Sequence, residues 1–76
     1  MTLALLMIRQ PVNSSSLRSV GYDPRLGILE IEFANGSVYQ YLDTPETVYQ
    51  GLLAAPSHRD YIARHIRDRY PYRKIQ

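Results

Sequence analysis

An alternating segment followed by a hairpin turn is the feature of this sequence that most limits its fold. Residues 28–34 alternate, so that three large apolar side chains share one side of an extended chain while Glu30 and Glu32 share the other. Asn35-Gly36 follows, which is a strong signal for a tight hairpin turn. Residues 37–42 return with a second β-type pattern. The sequence therefore predicts an antiparallel hairpin with one buried face.

The register of this hairpin decides where Tyr39 and Tyr41 lie. A two-residue turn pairs Glu32 with Tyr39 and places both tyrosines on the acidic, solvent-facing side, where their rings can stack on nucleic-acid bases. A three-residue loop pairs Ile31 with Tyr39, so that both tyrosines join the core and Gln40 faces outward with the glutamates. The Asn-Gly turn favours the first register, and the joint burial of five large side chains favours the second. We expect the second register.

A further strand and a helix flank the hairpin. Residues 17–22 predict a first strand, joined to the hairpin by a turn at residues 23–27. A helix should follow the hairpin, with Asp43 or Thr44 supplying the capping oxygen and Pro45 in its first turn. Its apolar face repeats at three- and four-residue spacing and comprises Val48, Tyr49, Leu52, Leu53 and Ala55.

A second helix is predicted to start at Ser57, with Asp60 three residues later as in a capping box. Its expected inner face comprises Tyr61, Ile62, His65 and Ile66. On its outer face, Arg64 is four residues from both Asp60 and Asp68 and can pair with either. We expect Tyr70-Pro71 to end this helix, because a residue before proline avoids the helical conformation.

Strands followed by helices predict an α+β fold, with a three-stranded antiparallel meander and then two helices packed on one face. A length of 76 residues allows one small domain, which we place at residues 11–76, with an extended tail at residues 72–76. Residues 1–10 form an N-terminal apolar segment. Its six-residue apolar run is too short for a membrane span, which needs about 20 residues. We therefore expect no membrane partner. We assign the run to a frayed N-terminus or an edge strand, with self-association as the alternative.

The composition argues against catalysis. There is no cysteine, which excludes disulfides, thiolate metal sites and a cysteine nucleophile, and fits a reducing compartment such as the cytoplasm. His58 and His65 are seven residues apart and lack a carboxylate at the usual metal-ligand spacing. No nucleophile elbow, phosphate-binding loop or dinucleotide fingerprint is present. We expect no catalytic residue, metal or cofactor, since so small a domain has little interior in which to enclose a reaction.

The charge distribution points to the C-terminal end. Residues 58–76 carry six basic and two acidic side chains, whereas residues 1–57 carry three and five. Arginine suits bidentate contact with phosphate and stacking on rings, and tyrosines lie among these basic residues. Eight residues are candidates for contact with nucleic acid: Tyr39, Tyr41, Arg59, Arg64, Arg67, Tyr72, Arg73 and Lys74.

A set of motifs runs in order along the sequence. They are Val12-Asn13-Ser14-Ser15, Gly21-Tyr22-Asp23, Phe33-x-x-Gly36-x-x-Tyr39-x-Tyr41, Pro45-x-x-Val48-Tyr49, Ala55-x-Ser57, and Tyr61 followed by Ile66-Arg67 and Tyr70-Pro71-Tyr72. In this combination the sequence resembles the KTSC domain, a short module named for its occurrence at the C-terminus of some lysyl-tRNA synthetases and also found as a stand-alone small bacterial protein. The resemblance covers about Val12 to Ile75. Where the family commonly has glycine, two residues after the serine that opens the second helix, this chain has Arg59.

Two functions follow as hypotheses. The family has no established activity, and its association with the synthetase implies RNA, in particular tRNA, as the ligand. The first hypothesis is a non-catalytic cytoplasmic module that binds RNA through the basic C-terminal helix and tail, with tyrosine stacking. The alternative is a module for protein–protein interaction or homodimer formation, in which the apolar N-terminal run and the tyrosines pack on another chain.

Overall fold

Within residues 7–76, five antiparallel strands form one sheet in the order β1-β2-β3-β4-β5, and two helices lie between the fourth and fifth strands in the chain. This computed structural model describes residues 7–76. The strands are β1 (Gln10–Pro11), β2 (Leu17–Asp23), β3 (Ile28–Phe33), β4 (Val38–Tyr41) and β5 (Tyr72–Lys74). The helices are α1 (Glu46–Ala54) and α2 (His58–Tyr61), and α2 continues into a π-helical segment (Ile62–Ile66). The α+β fold with two helices is confirmed.

The predicted number of strands was too low, because the sheet has five and the sequence indicated three. The two additional strands are its edges, and main-chain hydrogen bonds hold them. The amide of Leu42 donates to the carbonyl oxygen of Pro71 at 2.7 Å, and the amide of Ile75 donates to that of Val38 at 2.8 Å. With two and three residues, β1 and β5 are too short to show the alternation that identifies a strand.

The hairpin of β3 and β4 has the three-residue loop that we expected. Ile31 lies opposite Tyr39, and Gln40 lies on the other face of the sheet. The amide of Gly36 donates to the carbonyl oxygen of Phe33 at 2.9 Å, and Gly36 has φ of 92°. The turn is thus followed by a glycine in a conformation that other residues seldom adopt. The prediction based on side-chain burial was correct.

The core lies between the helices and one face of the sheet, here called the inner face. It comprises Leu17, Val20, Leu29, Ile31, Tyr41, Leu52, Ile62 and Ile66. The opposite, outer face carries Glu30 and Gln40, and both are buried. Glu30 was expected to face solvent, so its burial is a correction whose cause appears below.

The start of α1 differs from the prediction. Its capping position is Pro45, whose side chain has no oxygen to accept a hydrogen bond. The hydroxyl of Thr44 instead approaches the carbonyl oxygens of Tyr41 and Leu42, at 3.2 and 3.1 Å. Asp43 has φ of 53°, which turns the chain between β4 and the helix. The tight turn after β4 therefore uses the hydroxyl that the sequence assigned to the helix cap.

The start of α2 is confirmed, and its end is not. Ser57 Oγ accepts from the amide of Asp60 at 3.1 Å. The helix ends at Ile66 rather than at Tyr70-Pro71, after a wide turn closed by the amide of Arg67 and the carbonyl oxygen of Ile62 at 2.8 Å.

The wide turn also changes which side chains face the core. Ile62 and Ile66 are buried as predicted, whereas His65 is exposed and its ring lies 4.6 Å from that of Tyr61. Arg64 pairs with Asp60 at 3.0 Å. The alternative partner, Asp68, lies beyond the helix end in the left-handed region, with φ of 63°.

No helix within residues 7–76 is long and apolar enough to cross a membrane.

Candidate nucleic-acid interface

An open cleft of about 540 Å³ lies at the end of the sheet near the β3–β4 loop. We call it the aromatic cleft. It is lined by Ser16, Phe33, Ala34, Asn35, Ser37, Tyr39, Tyr41, Arg67, Asp68 and Tyr72. The volume falls within the range usual for small-ligand sites. The cleft therefore has room for a planar ring system between the sheet and the segment that follows the π-helical turn.

Three tyrosine rings form one wall of the cleft. The ring centroids of Tyr39 and Tyr41 are 6.3 Å apart, and that of Tyr72 lies 5.5 Å from Tyr39 and 5.9 Å from Tyr41. Phe33 meets Tyr39 edge-on at 5.5 Å. These spacings are typical of favourable aromatic pairs. The register explains the cluster, because Tyr72 lies opposite Tyr41 on the neighbouring strand.

The exposure of the rings increases from the core toward the edge of the sheet. Tyr41 is 6% exposed, Tyr39 is half-buried, and Tyr72 is 59% exposed. Burial raises the pKa of the Tyr41 hydroxyl, and the neighbouring Tyr39 raises it further, while the positive charge of Arg67 acts in the opposite direction. Tyr41 is therefore a neutral phenol at physiological pH, and the accessible aromatic surface belongs mainly to Tyr72.

The segment after the π-helical turn supplies the polar side of the cleft. Arg67 is extended, with φ of −62° and ψ of 132°, and Asp68 follows in the left-handed conformation. Both residues line the cleft although they are adjacent in the sequence. Among residues 7–76, the ion pairs are those of Arg9 and Arg64, so the carboxylate of Asp68 is in none of them. A basic and an acidic residue thus line the cleft together with the three tyrosines.

The predicted site residues divide into three groups. Four lie together in the aromatic cleft: Tyr39, Tyr41, Arg67 and Tyr72. Lys74 is paired with Tyr39 across the sheet and so lies on the same face, and Arg59 lines an adjoining depression of about 240 Å³ together with Arg67. Arg64 and Arg73 are elsewhere, the first paired with Asp60 and the second on the outer face.

Sequence reasoning missed two of the lining residues that bear on chemistry. Phe33 was assigned only to the core, and Asp68 was assigned to an ion pair on a helix. The aromatic side chain was detectable, because it shares the face of Tyr39 in the correct register. The position of Asp68 could not be detected, because it depends on a π-helical turn for which the sequence has no recognisable pattern.

The outer face is covered by a hydrogen-bonded chain that we call the outer-face network. It comprises Arg9, Ser19, Glu30, Glu32, Gln40 and Arg73. Arg9 forms an ion pair with Glu30, and Gln40 Nε2 donates to Glu30 Oε1 at 2.8 Å. Arg73 Nε donates to Gln40 Oε1 at 2.9 Å. These partners explain how a carboxylate and an amide are buried on a face without a helix among the described residues.

Gly21 makes room for this network at the N-terminal edge. A Cβ atom at this position would lie 2.6 Å from the carbonyl oxygen of Ile8 and 3.1 Å from Cγ of Arg9. Because glycine has no side chain, the segment that precedes β1 can lie this close to β2. This close approach places the guanidinium of Arg9 beside Glu30.

Residues 7–76 contain no group of three histidine or acidic side chains arranged to hold a metal ion.

Residues 13–70 match the sequence profile of the KTSC domain family, which is most of the chain. The chain belongs to this family. The crystal structure of a KTSC domain protein from Yersinia pestis is 42% identical and superimposes with a TM-score of 0.86, covering 93% of this chain and all of that one. An uncharacterized protein of Stutzerimonas stutzeri is 53% identical over 51 residues, which are 67% of this chain and 72% of that protein.

Similar segments also occur within much larger proteins. The lysine–tRNA ligase of a Nostoc species is 33% identical over 61 residues, which are 80% of this chain and 11% of the ligase. The resemblance of this KTSC domain to the family is therefore confirmed along most of its length. Arg59, the position that departs from the family pattern, lies within the first turn of α2 without interrupting it.

Proposed function

We propose that this KTSC domain is a non-catalytic binding module that holds single-stranded RNA in the aromatic cleft. The observation that carries the proposal is the cluster of three tyrosine rings beside Arg67 in an open cleft. RNA-binding sheets commonly stack unpaired bases on aromatic side chains that project from neighbouring strands. Tyr72 offers the accessible ring, and Tyr39 and Tyr41 support it from the core side.

The charges around the cleft support the same ligand. Arg67 lines the cleft, Arg59 lies in the adjoining depression, and Lys74 shares the face of Tyr39. A backbone that passes over the stacked base can place its phosphates near these three cations. The glutamates of β3 do not oppose this, because they belong to the outer-face network on the other side of the sheet.

The relatives supply further support. The name of the Nostoc relative, lysine–tRNA ligase, associates that protein with tRNA. We extend this to the present chain as a proposal, with a tRNA-related RNA as the ligand. We also propose that the module acts in the cytoplasm, where a sequence without cysteine is at no disadvantage.

The experiment is a fluorescence-anisotropy titration of the full chain with labelled single-stranded RNA over a series of salt concentrations. Tyr72→Ala should weaken binding about tenfold, because base stacking on an aromatic side chain contributes on this order. Arg67→Ala should weaken binding and lower the slope of log K against log salt by about 0.7. Arg25→Ala removes the same charge from the turn at the far end of β3, and should change the affinity much less than Arg67→Ala does.

The proposal fails if wild-type binding is indifferent to salt or if Tyr72→Ala behaves like Arg25→Ala. Arg73 provides a further contrast. The sequence suggested a direct contact, but its hydrogen bond to Gln40 on the outer face makes any effect of Arg73→Ala indirect.

Self-association is a second candidate function, favoured by the exposed apolar residues and open edges of the sheet. Ile8, Leu26 and Ile75 are large apolar side chains with high exposure. β1 and β5 end the sheet and have main-chain groups on their outer sides. Light scattering with and without residues 1–8 tests this candidate. A concentration-dependent increase in mass that the truncation abolishes, without any RNA binding, would favour it over the RNA proposal.

A further inference from the structure

The aromatic cleft contains one group that stacking and phosphate contact leave unexplained, the carboxylate of Asp68. A carboxylate repels phosphate, so Asp68 is not itself a phosphate contact, and its presence among the lining residues needs another explanation. Among residues 7–76, Asp68 forms neither an ion pair nor a side-chain hydrogen bond. Its two carboxylate oxygens therefore accept from no other described side chain, in a residue that lines a cleft with an aromatic wall.

The other polar side chains of the cleft offer less as acceptors. The side-chain oxygen of Asn35 is occupied, because it accepts from the amide and the hydroxyl of Ser37 at 3.0 and 2.7 Å. Arg67 has donors alone. Asp68 is therefore the strongest acceptor among the residues that line the cleft together with Tyr72, and a ligand complementary to it carries N–H donors along one edge.

Guanine is the base that fits this requirement best. Its Watson–Crick edge presents two adjacent N–H donors, at N1 and at the 2-amino group, which match the two oxygens of one carboxylate. Adenine and cytosine offer one amino group beside an acceptor nitrogen, and uracil offers one N–H between two carbonyl oxygens. An acceptor nitrogen or oxygen next to a carboxylate is repelled, so the discrimination comes from attraction and repulsion together.

We infer that the aromatic cleft selects guanine in single-stranded RNA, with the base stacked on Tyr72 and its Watson–Crick edge bound by Asp68. The inference rests on the proposed function and names the base that it recognises. Arg67 then lies beside the carboxylate as the contact for the adjoining phosphate. Asp68, in the left-handed conformation, and the adjacent Arg67 both line this cleft.

The test uses the full chain and short uridine-rich RNA oligonucleotides that differ in a single central base. We expect the guanine oligonucleotide to bind about tenfold more tightly than the adenine or cytosine ones, which is the discrimination usual for a bidentate base contact. Inosine keeps the N1–H and lacks the 2-amino group, so its affinity should be intermediate. Unlabelled guanosine monophosphate should compete weakly, because it lacks the flanking phosphates. Equal competition would instead identify a free nucleotide as the ligand and overturn the RNA form of the inference.

Two matched variants isolate the role of Asp68. Asp68→Asn removes the charge and one acceptor, and asparagine tolerates the left-handed conformation. It should abolish the guanine preference and leave binding of the other oligonucleotides equal or tighter. Asp43→Asn is the control, because Asp43 is also an exposed aspartate with positive φ and does not line the cleft. It should keep the preference.

The outcomes separate this inference from the proposed function. If all oligonucleotides bind equally to the wild type, or if Asp68→Asn retains the preference, the guanine inference is overturned and RNA binding stands. If none of the oligonucleotides binds, both are overturned.

Discussion

Removal of the Arg9 guanidinium should destabilise the fold far more than its position near the N-terminus suggests. The variant is Arg9→Met, which keeps the length of an apolar stem. Arg9 is the ion-pair partner of Glu30, and the two side chains are 26% and 3% exposed. In the variant, the buried carboxylate retains one side-chain hydrogen bond, from Gln40 at 2.8 Å. The carboxylate of Glu30 therefore stays buried but no longer has a positive charge beside it.

The expected cost follows from that burial. Breaking a fully buried ion pair by removing one partner costs about 3–5 kcal/mol. The cost here should be smaller, because Arg9 is partly exposed and Glu30 keeps one donor, and we expect about 2 kcal/mol. For a domain of this size, that corresponds to a fall of roughly 8–16 °C in Tm. Urea unfolding followed by circular dichroism should show a lower midpoint at an unchanged slope.

Two comparisons test the reasoning. Arg64→Met makes the same change in an exposed pair with Asp60, whose side chains are 70% and 57% exposed, and it should barely alter the midpoint. Glu30→Gln in the Arg9→Met background removes the unpaired charge and should recover part of the loss. If Arg9→Met is as stable as Arg64→Met, or if Glu30→Gln recovers nothing, the idea of an uncompensated buried charge is wrong.

Three further changes test other parts of the structure. Gly36→Ala should lower the free energy of unfolding by about 1 kcal/mol in denaturant titrations. The cause is conformational, because alanine must adopt φ of 92° while its Cβ meets no atom within 4 Å. Gly36→Asn should cost less, and equal costs for the two variants would contradict a purely conformational effect. Ser57→Ala should cost about 1 kcal/mol in the same titration through the lost cap of α2, whereas Ser15→Ala, at an exposed position, should cost little. The pKa of Tyr41 is raised by folding, so the stability that its neutral hydroxyl contributes is complete below the unfolded-state pKa of about 10 and is lost as the pH rises through the folded-state pKa. Tyr41→Phe should therefore lose less stability than the wild type in alkaline unfolding titrations, and identical profiles would contradict this.

The hairpin was predictable because its signals are local. The alternation of residues 28–34 and the position of Gly36 sufficed to choose between two registers, once burial was weighed above the identity of the turn residues. The same weighting placed Tyr41 in the core. The local pattern was misleading in one respect, since it predicted that the outer face of the sheet is exposed to solvent. Glu30 is buried by Arg9, which lies 21 residues earlier, and no local pattern reports such a partner.

The remaining errors share another cause, since they depend on backbone conformation rather than on side-chain pattern. The π-helical turn at Ile62–Ile66 ends the helix early and moves Asp68 from an expected ion pair into the cleft. The strand β5 is held by main-chain hydrogen bonds, which its basic and aromatic residues do not indicate. The sequence therefore predicted an extended tail there. Four of the residues that line the aromatic cleft were thus named from the sequence, whereas their arrangement was not predicted.

The strand β5 connects the two faces of the sheet and gives the outer-face network a role in the cleft. Tyr72 and Arg73 are adjacent in β5 and therefore point to opposite faces. Arg73 is held by Gln40, which is held by the buried Glu30. An interaction that fixes Arg73 also fixes the strand that carries Tyr72, so binding of the proposed ligand to that ring would have to order the strand less. The buried Glu30 thereby helps to hold the aromatic cleft in place from the far side of the sheet.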